Sequence, residues 1–426
     1  MPAVTARCAV YAAPVDTKQM PGPLEGIRVL DLSRVLAGPM AAQTLADLGA
    51  EVIKVERPGR GDDTRAWGPP FLTDRGGRQT SDSTYFACCN RGKKSVTVDL
   101  SAPQGQSIVR RLSELCDVLI ENYKVGDLAR YGLDFAGLRG VNPRLVYCSI
   151  SGYGQSGPYS ARAGYDPVVQ AMGGLMSVTG ERDGFPGAGP QRVGVAVTDL
   201  MTAAHAVSAI LAALWHRERS GEGQHVDLAL LDVQVASMIN IAQAFLSAGV
   251  IAERNGNAHP NVVPSQVFDC ADGKLMLAAG NDGQFAKLCE VTGRPELAHD
   301  PRFATNAARV RNRERVTAML QELLGQNTVA YWTDTLAKGG VPCGPINDIA
   351  SVFADPQVQH RGMRVEIEHP LVGALPLVAS PLRLSRTPVE HRVPPPLLGQ
   401  HSEEVLSGLL RMDASTIASL RSAGVI

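Results

Sequence analysis

The stretch Arg192-Val-Gly-Val-Ala-Val-Thr-Asp199 ends a short apolar run in one carboxylate, at the point where a long helical pattern begins. Val193 to Val197, β-branched and uncharged, predict a buried strand. Leu200 to Arg217, with Ala204, Val207, Ile210, Leu211 and Leu214 on one stripe, predict a helix. Asp199 then falls at the helix N-cap. An Asp there accepts a free first-turn N–H and meets the positive end of the helix dipole, so a structural cap is one reading. The other is a carboxylate nucleophile whose neighbouring amides hold an oxyanion. These residues alone leave both readings open.

Other chemistry-bearing residues fall at the ends of apolar runs. Arg57, Arg91, Lys93, Lys94, Lys124 and Arg130 sit at or near such ends. Singly each is an ordinary solvated charge, but together at strand ends they suit a phosphorylated ligand. Ser149-Ile-Ser-Gly-Tyr-Gly-Gln-Ser-Gly-Pro158 is rich in hydroxyls, yet Pro158 stands where a nucleophile elbow around Ser156 needs glycine. It reads instead as a Gly-rich loop at the carboxyl end of a strand. Gly164-Tyr165-Asp166 opens a further helical stretch, where Asp166 is again a possible cap, and His259 lies in the loop Asn257-Ala-His-Pro-Asn261.

Composition bounds the remaining classes. A chain of 426 residues with 44% hydrophobic and 19% charged residues and a formal net charge of -1 is an ordinary globular protein with room for a large core. No bulk field attracts nucleic acid or anionic lipid, so anion recognition must be local. The eight cysteines form no C-x-x-C pair, which argues against a disulfide frame or a metal site. The apolar patterns Leu200–Leu214 and Leu228–Leu246 carry polar interruptions at His205, Asp232, Gln234, Asn240 and Gln243, which do not suit a bilayer. Residues 1–22 lack the apolar core of a secretory signal and are expected to be a disordered extension, in a cytoplasmic protein or as an organelle presequence of the mitochondrial kind.

The elements that must hold these residues begin with a βαβ unit: strand Ile27–Leu32, helix Met40–Leu48 stopped by Gly49, strand Glu51–Glu56. Strands at Lys94–Leu100, Val118–Glu121 and Leu145–Ile150, with helix Ser107–Leu115 among them, continue the alternation. The expected fold is α/β, a doubly wound and mostly parallel sheet, with a smaller α+β domain. A dinucleotide site is contradicted by its glycines, since Ser33-Arg34-Val35-Leu36-Ala37-Gly38-Pro39 has one where G-x-G-x-x-G needs three. The large domain is therefore Rossmann-like without that fingerprint. It is expected over residues 23–229, and the strand His225–Leu230 leads into a linker helix over 230–255. The small domain is expected over 256–348, with strands Val262–Phe268 and Lys274–Ala279 and helices Gln284–Val291 and Arg313–Leu324. An extended Pro-rich return follows over 349–400, then a C-terminal segment over 401–426 with a last helix near Glu403–Leu410.

Taken in order, these segments resemble the class III CoA-transferases, the formyl-CoA transferase and carnitine CoA-transferase family. The resemblance runs from about Pro23 to the C-terminus. It is carried by Leu24-Glu-Gly-Ile-Arg-Val-Leu-Asp31, Val35-Leu-Ala-Gly-Pro39, Leu48-Gly-Ala-Glu-Val-Ile-Lys-Val-Glu-Arg-Pro-Gly59, Asn142-Pro-Arg-Leu145, Tyr165-Asp166, Asp199 and Leu397-Leu-Gly-Gln-His401. Within the family the chain is most like the branch that exchanges CoA between succinyl-CoA and glutarate. That similarity rests on Gly61-Asp-Asp-Thr-Arg65, Trp67-Gly-Pro-Pro70, Arg162-Ala-Gly-Tyr-Asp166 and Gly344-Pro-Ile-Asn347 among others.

The resemblance implies an interlocked homodimer, a CoA thioester as substrate in place of a resident cofactor, and no metal. It places the nucleophile on Asp199 and CoA contacts on Leu36, Ala37, Arg57, Val98, Asn122, Tyr123, Lys124, Arg130, Gly164, Tyr165 and Asp166. Two lysines that touch CoA in formyl-CoA transferases are here Ser101 and Ala163, and the glycine-rich loop of those enzymes is replaced around Asn257–Pro264. A related branch, the α-methylacyl-CoA racemases, needs a histidine where this chain has Tyr165, and tyrosine, which ordinarily titrates near ~10, is a poor base at neutral pH. Racemase and nucleotide-binding protein stand as the rival readings. For the remote carboxylate of a dicarboxylic acceptor the candidate cations are Arg34, Arg162 and Arg192, with His259 as a further substrate contact.

Overall fold

The computed structural model describes residues 22–426. The expected N-terminal extension therefore lies outside the described residues, except for Gly22. The chain divides into two compact units. One holds the described residues up to Ile150 with Ala203–Leu228 and Arg364–Ile426, and the other holds Ser151–Thr202 and Ala229–Met363. Residues 151–202, placed by the sequence with the large domain, are thus grouped with the second unit, as are the helices after Ala229.

The first unit is built on strands β1 (Arg28–Asp31), β2 (Glu51–Glu56), β3 (Lys93–Thr97), β4 (Val118–Glu121), β5 (Val146–Ser151) and β6 (His225–Ala229). Their spatial order is β3-β2-β1-β4-β5-β6. The pairs β1/β2, β1/β4, β2/β3 and β4/β5 run parallel. Val29, Leu30, Val52, Ile53, Val118 and Leu119 are buried, as expected of strands covered on both faces. The order reverses between β1 and β4, and in such sheets ligands bind outside the carboxyl ends of strands at that switch point. Helix Ala37–Asp47 starts earlier than expected and ends before Gly49, whose φ of 102° suits a residue without Cβ.

The C-terminal segment joins this core, with Val405, Leu406, Leu410, Ile417 and Val425 packing among Val96, Ile108 and Leu112. It also covers the free side of edge strand β3. His401 N–H donates to Ser95 O, Ser95 N–H donates to His401 Nδ1 at 3.1 Å, and Thr97 N–H donates to Ser402 Oγ at 3.1 Å.

The second unit carries a three-stranded antiparallel sheet of β7 (Ser265–Asp269), β8 (Lys274–Ala278) and β9 (Cys343–Pro345), with β8 central. Phe268, Leu275, Leu277, Phe285, Leu320, Trp332 and Leu336 form its core. Helices Asp282–Val291 and Arg313–Leu324 fall where the sequence placed them.

Several expectations are corrected. Val193–Val197 is not a strand: no neighbour among the described residues pairs with it, Val195 is exposed, and Val193 N–H donates to the Gln170 side chain at 2.9 Å. The adjoining helix runs over Val197–Ser220, so Asp199 is its third residue and not its N-cap. By length and composition alone this helix could cross a membrane, but Arg217 near its end is buried and paired with Asp117 at 2.8 Å. The expected linker helix is two, Leu230–Ser237 and Ile239–Ala248, bent by 75° where Ile239 has φ 36°.

The return over 349–400 is not extended throughout. Asp348 and Asp355 cap short helices at Ile349–Ala354 and Pro356–His360. The alternating Val365/Ile367 and Leu375/Leu377 then form a hairpin, Arg364–His369 with Gly373–Val378. The sequence reading also missed the helix Ala414–Ser422, capped by Asp413, and the hairpin Phe71–Thr73/Gln79–Ser83, whose turn is held by the Asp74 carboxylate.

Candidate active site

In the first unit a cleft of about 600 Å³ opens at the carboxyl ends of β1 to β4, within the range of small-molecule sites. Arg34, Arg57, Val98, Tyr123 and Arg130, all singled out from the sequence, line it together with Lys54, Glu56, Arg60, Asp62 and Ser101. Chain direction explains the gathering: Arg57 follows β2, Val98 follows β3, and Asn122 and Tyr123 follow β4. Leu36 and Ala37, at the start of helix Ala37–Asp47, are buried, Lys124 is exposed, and none of the three lines the cleft.

Much of the cleft's charge is paired: Lys54 with Asp62 at 2.9 Å, Arg34 with Asp63 at 2.9 Å, Arg130 with Asp127 at 2.8 Å. Arg57 and Arg60 form no ion pair among the described residues, so their guanidinium groups are available to phosphate, although Glu56, Asp62, Asp63, Asp99 and Asp127 balance the basic side chains along the lining. Asn122 ties two walls together, accepting Arg34 N–H at 2.8 Å and donating to Arg34 O at 2.6 Å. The Arg34 guanidinium lies 5.4 Å from the Tyr123 ring centroid.

Glu121, which ends β4, accepts Tyr123 N–H at 2.8 Å. Burial pushes its carboxyl up to about 7, against hydrogen bonds from Ser149 and the Tyr123 amide, with Asp227 adding to the rise. The Ser149 hydroxyl lies 2.9 Å from His225 Nε2, and the His225 ring stacks on Phe135.

The second unit holds Gly164, Tyr165, Asp166 and Asp199. Gly152 and Gly164 pass so closely that a Cβ on either would meet the other's Cα within 2.7 Å, which fixes the backbone entering Tyr165. Tyr165 precedes the helix Asp166–Met172 in extended conformation, with its ring exposed. Asp166 is buried and performs the capping the sequence assigned to Asp199. Its Oδ1 accepts Thr198 N–H at 2.8 Å and Asp199 N–H at 3.4 Å, and its Oδ2 accepts from Gln170 Nε2 at 2.6 Å. Thr198 Oγ1 in turn donates to Gln234 Oε1 at 2.7 Å.

The Asp199 carboxylate meets no cation among the described residues. Burial, and secondarily the charge of Asp166, push its carboxyl up to about 7. The amides expected to serve as an oxyanion hole at this helix start are engaged: Val197 N–H donates to Val195 O and Leu200 N–H to Ala196 O, while Thr198 and Asp199 donate to Asp166. That expectation is corrected by the presence of a cap from outside the helix.

The remaining substrate candidates differ. Arg162 stacks on Tyr159 at 3.9 Å, Arg192 is exposed, and His259 Nδ1 accepts Asn261 N–H at 3.0 Å. Arg34 belongs to the cleft of the first unit, whereas these three belong to the second. Sequence reasoning missed Gln170, Thr198 and Gln234, which wire Asp166 and the helix start together. The signal available was four-residue spacing from Asp166 to Gln170. Lys54 was also missed, although a lysine inside the strand Glu51-Val-Ile-Lys-Val-Glu56 asks for a buried partner.

Residues 24–402 match the family described as CoA-transferase family III. The chain is 51% identical to a succinate–glutarate CoA-transferase of Agrobacterium fabrum, over 91% of this chain and 96% of that protein. It is 46% identical to a succinyl-CoA:glutarate CoA-transferase of Mus musculus, over 95% and 90%. Among solved structures, a CAIB/BAIF family protein from Brucella suis aligns with a TM-score of 0.81 at 46% identity, covering 92% of this chain and all of that one. The segments that carry the cleft and the Asp166–Asp199 pair therefore lie within a match spanning nearly the whole chain, which belongs to CoA-transferase family III.

Proposed function

We propose that this enzyme moves CoA from succinyl-CoA to glutarate or a closely similar C4 to C6 dicarboxylate, with Asp199 as nucleophile. The observation that carries the mechanism is a half-buried carboxylate without a cationic partner among the described residues, held in a helix first turn whose amides are capped by Asp166. A nucleophilic carboxylate is most reactive when stripped of strong hydrogen-bond donors, and here those donors are given to its neighbour. The substrate pair is taken from the relatives that share about half of this sequence.

Asp199 attacks the thioester carbonyl of succinyl-CoA, the C–S bond breaks, and a mixed anhydride and CoA thiolate result. The thiolate attacks the aspartyl carbonyl of the anhydride, releasing succinate and leaving a CoA thioester on Asp199. Glutarate then attacks that thioester, expelling the thiolate again and forming a second anhydride. Attack of the thiolate on the glutaryl carbonyl yields glutaryl-CoA and regenerates the Asp199 carboxylate. One thioester replaces another, so neither an external energy source nor net proton transfer is needed, while water must be kept from both anhydrides. The cleft of the first unit would hold the phosphate groups of CoA through Arg57 and Arg130, against Val98 and Tyr123. The family dimer is part of this reading.

The test is to treat the enzyme with succinyl-CoA in the absence of acceptor and determine the mass of the intact protein. A CoA adduct on Asp199, removable by hydroxylamine and absent from Asp199→Ala, is expected. Full turnover by Asp199→Ala would overturn the mechanism. Exchange of an α-proton for deuterium without any acceptor acid would instead favour a racemase.

A further inference from the structure

Three non-glycine residues among those described have positive φ, and one of them, Val35 at 73°, lies between strand β1 and the helix that starts at Ala37. A β-branched residue in the left-handed region is a real outlier, because its branched Cβ crowds the backbone. Such strain persists only where the surroundings over-determine it, and that happens preferentially where ligands bind.

The surroundings here do so atom by atom. Ser33 O accepts from Lys54 Nζ at 2.8 Å. Arg34 is held at both backbone groups by Asn122. Val35 N–H donates to Asp62 Oδ1 at 3.2 Å. Asp62 itself is fixed: its other oxygen takes Lys54 Nζ at 2.9 Å, and it accepts the Thr64 amide at 3.0 Å and the Thr64 hydroxyl at 2.8 Å. Its own N–H donates to Glu56 Oε2 at 2.9 Å. Lys54 and Asp62 are both buried in this arrangement, and Arg34, Lys54 and Asp62 line the cleft. Leu36, the next residue, caps its helix without any side-chain hydrogen bond, while Ser33 is tied back to Asp31 Oδ1 through its N–H at 2.9 Å and Cys89 Sγ lies 3.7 Å from Val35 O.

We propose that Asp62 is a positioning residue for acyl-CoA binding: its carboxylate, anchored by Lys54, holds Val35 in a left-handed turn so that the neighbouring Arg34 is presented to the cleft. The inference rests on reading this cleft as the acyl-CoA site. Asp62 touches no reacting atom in this scheme. It acts through the backbone of Val35, and glycine at position 35 would adopt the same turn without a clamp.

The experiment compares the wild type, Asp62→Ala, and Asp62→Ala combined with Val35→Gly, measuring kcat and the KM of each substrate. Asp62→Ala is expected to raise the succinyl-CoA KM about tenfold or more, while kcat and the glutarate KM change less than about threefold. The added Val35→Gly is expected to return the succinyl-CoA KM to within about threefold of the wild type. An unrescued KM, or a parallel fall in every parameter, overturns the proposal. If Asp62→Ala does not fold, Val35→Pro decides the matter, because proline forbids the left-handed turn while leaving Asp62 and Lys54 in place. An unchanged succinyl-CoA KM in that variant overturns the proposal, and a selective rise supports it. A wild type that forms no CoA adduct and transfers no CoA would fail the functional reading itself, which separates the two failures.

Discussion

The cleft of the first unit and the carboxylate pair of the second treat charge in opposite ways. Around the cleft, with Glu121 as the exception, buried ions are satisfied: Lys93 Nζ meets Asp31 at 2.9 Å, Pro39 O at 2.8 Å and Asn90 Oδ1 at 2.9 Å, and Lys54 meets Asp62 and Ser33 O. The nearby lysines accordingly hold the Asp31 and Asp62 carboxyls below their usual range against the pull of burial, Asp62 to about 2. In the second unit two aspartates stand together with no cation between them among the described residues, and Asp199 is driven the other way, up to about 7. Binding surfaces gain from atoms already fixed in place, whereas a nucleophile gains from being left unsatisfied until substrate arrives.

The largest effect is expected at Asp199. Replacing it by Asn should lower turnover by roughly 10⁴-fold or more in steady-state assays while the fold, followed by circular dichroism, is retained. Next in size, Lys54→Met should destabilise the protein by about 3 to 5 kcal/mol in denaturant titration, because Asp62 is left buried without its counter-ion. If instead Lys54→Met is neutral, the satisfied network is not what holds the cleft.

A third test uses pH. Asp199 is raised in the folded chain from the ordinary 3.8 to about 7. Between those values the folded state retains a proton the unfolded state has lost. The resulting stability is fully present below about 4 and is lost as pH rises through 7. The wild type should therefore lose up to about 4 kcal/mol relative to Asp199→Asn across that window, with no further difference above it. Activity should run the opposite way, with kcat/KM rising through pH 7 as the nucleophile ionises. The smallest effect is expected from Asp166→Asn, which keeps an acceptor for the Thr198 and Asp199 amides but removes the second charge. Turnover should fall by less than about tenfold and the rising limb of the pH profile should move to lower pH.

How much of this was legible depended on how local its cause was. Glu51–Glu56, Val118–Glu121 and Arg313–Leu324 could be read to the residue, since apolar periodicity and flanking breakers define them. Val193–Val197 has the composition of a strand, but a strand exists only if another lies beside it, and composition does not carry that information. Arg57, Val98, Tyr123 and Arg130 could be placed because strand ends gather at one edge of a parallel sheet. The Asp166 cap on the helix of Asp199 joins residues 33 apart, and the Val35–Asp62 contact joins residues 27 apart. Neither leaves a periodic trace, so both had to be seen in three dimensions.

The cover over β3 carries a cost in time. His401 and Ser402 meet that strand from more than 300 positions further along the chain. Until they emerge from the ribosome, the outer amides and carbonyls of Ser95 and Thr97 are open to any passing strand, an invitation to aggregation during synthesis. A chain cut before His401 keeps most of its core yet never closes that edge. Expression of such a fragment should shift protein from the soluble fraction into inclusion bodies.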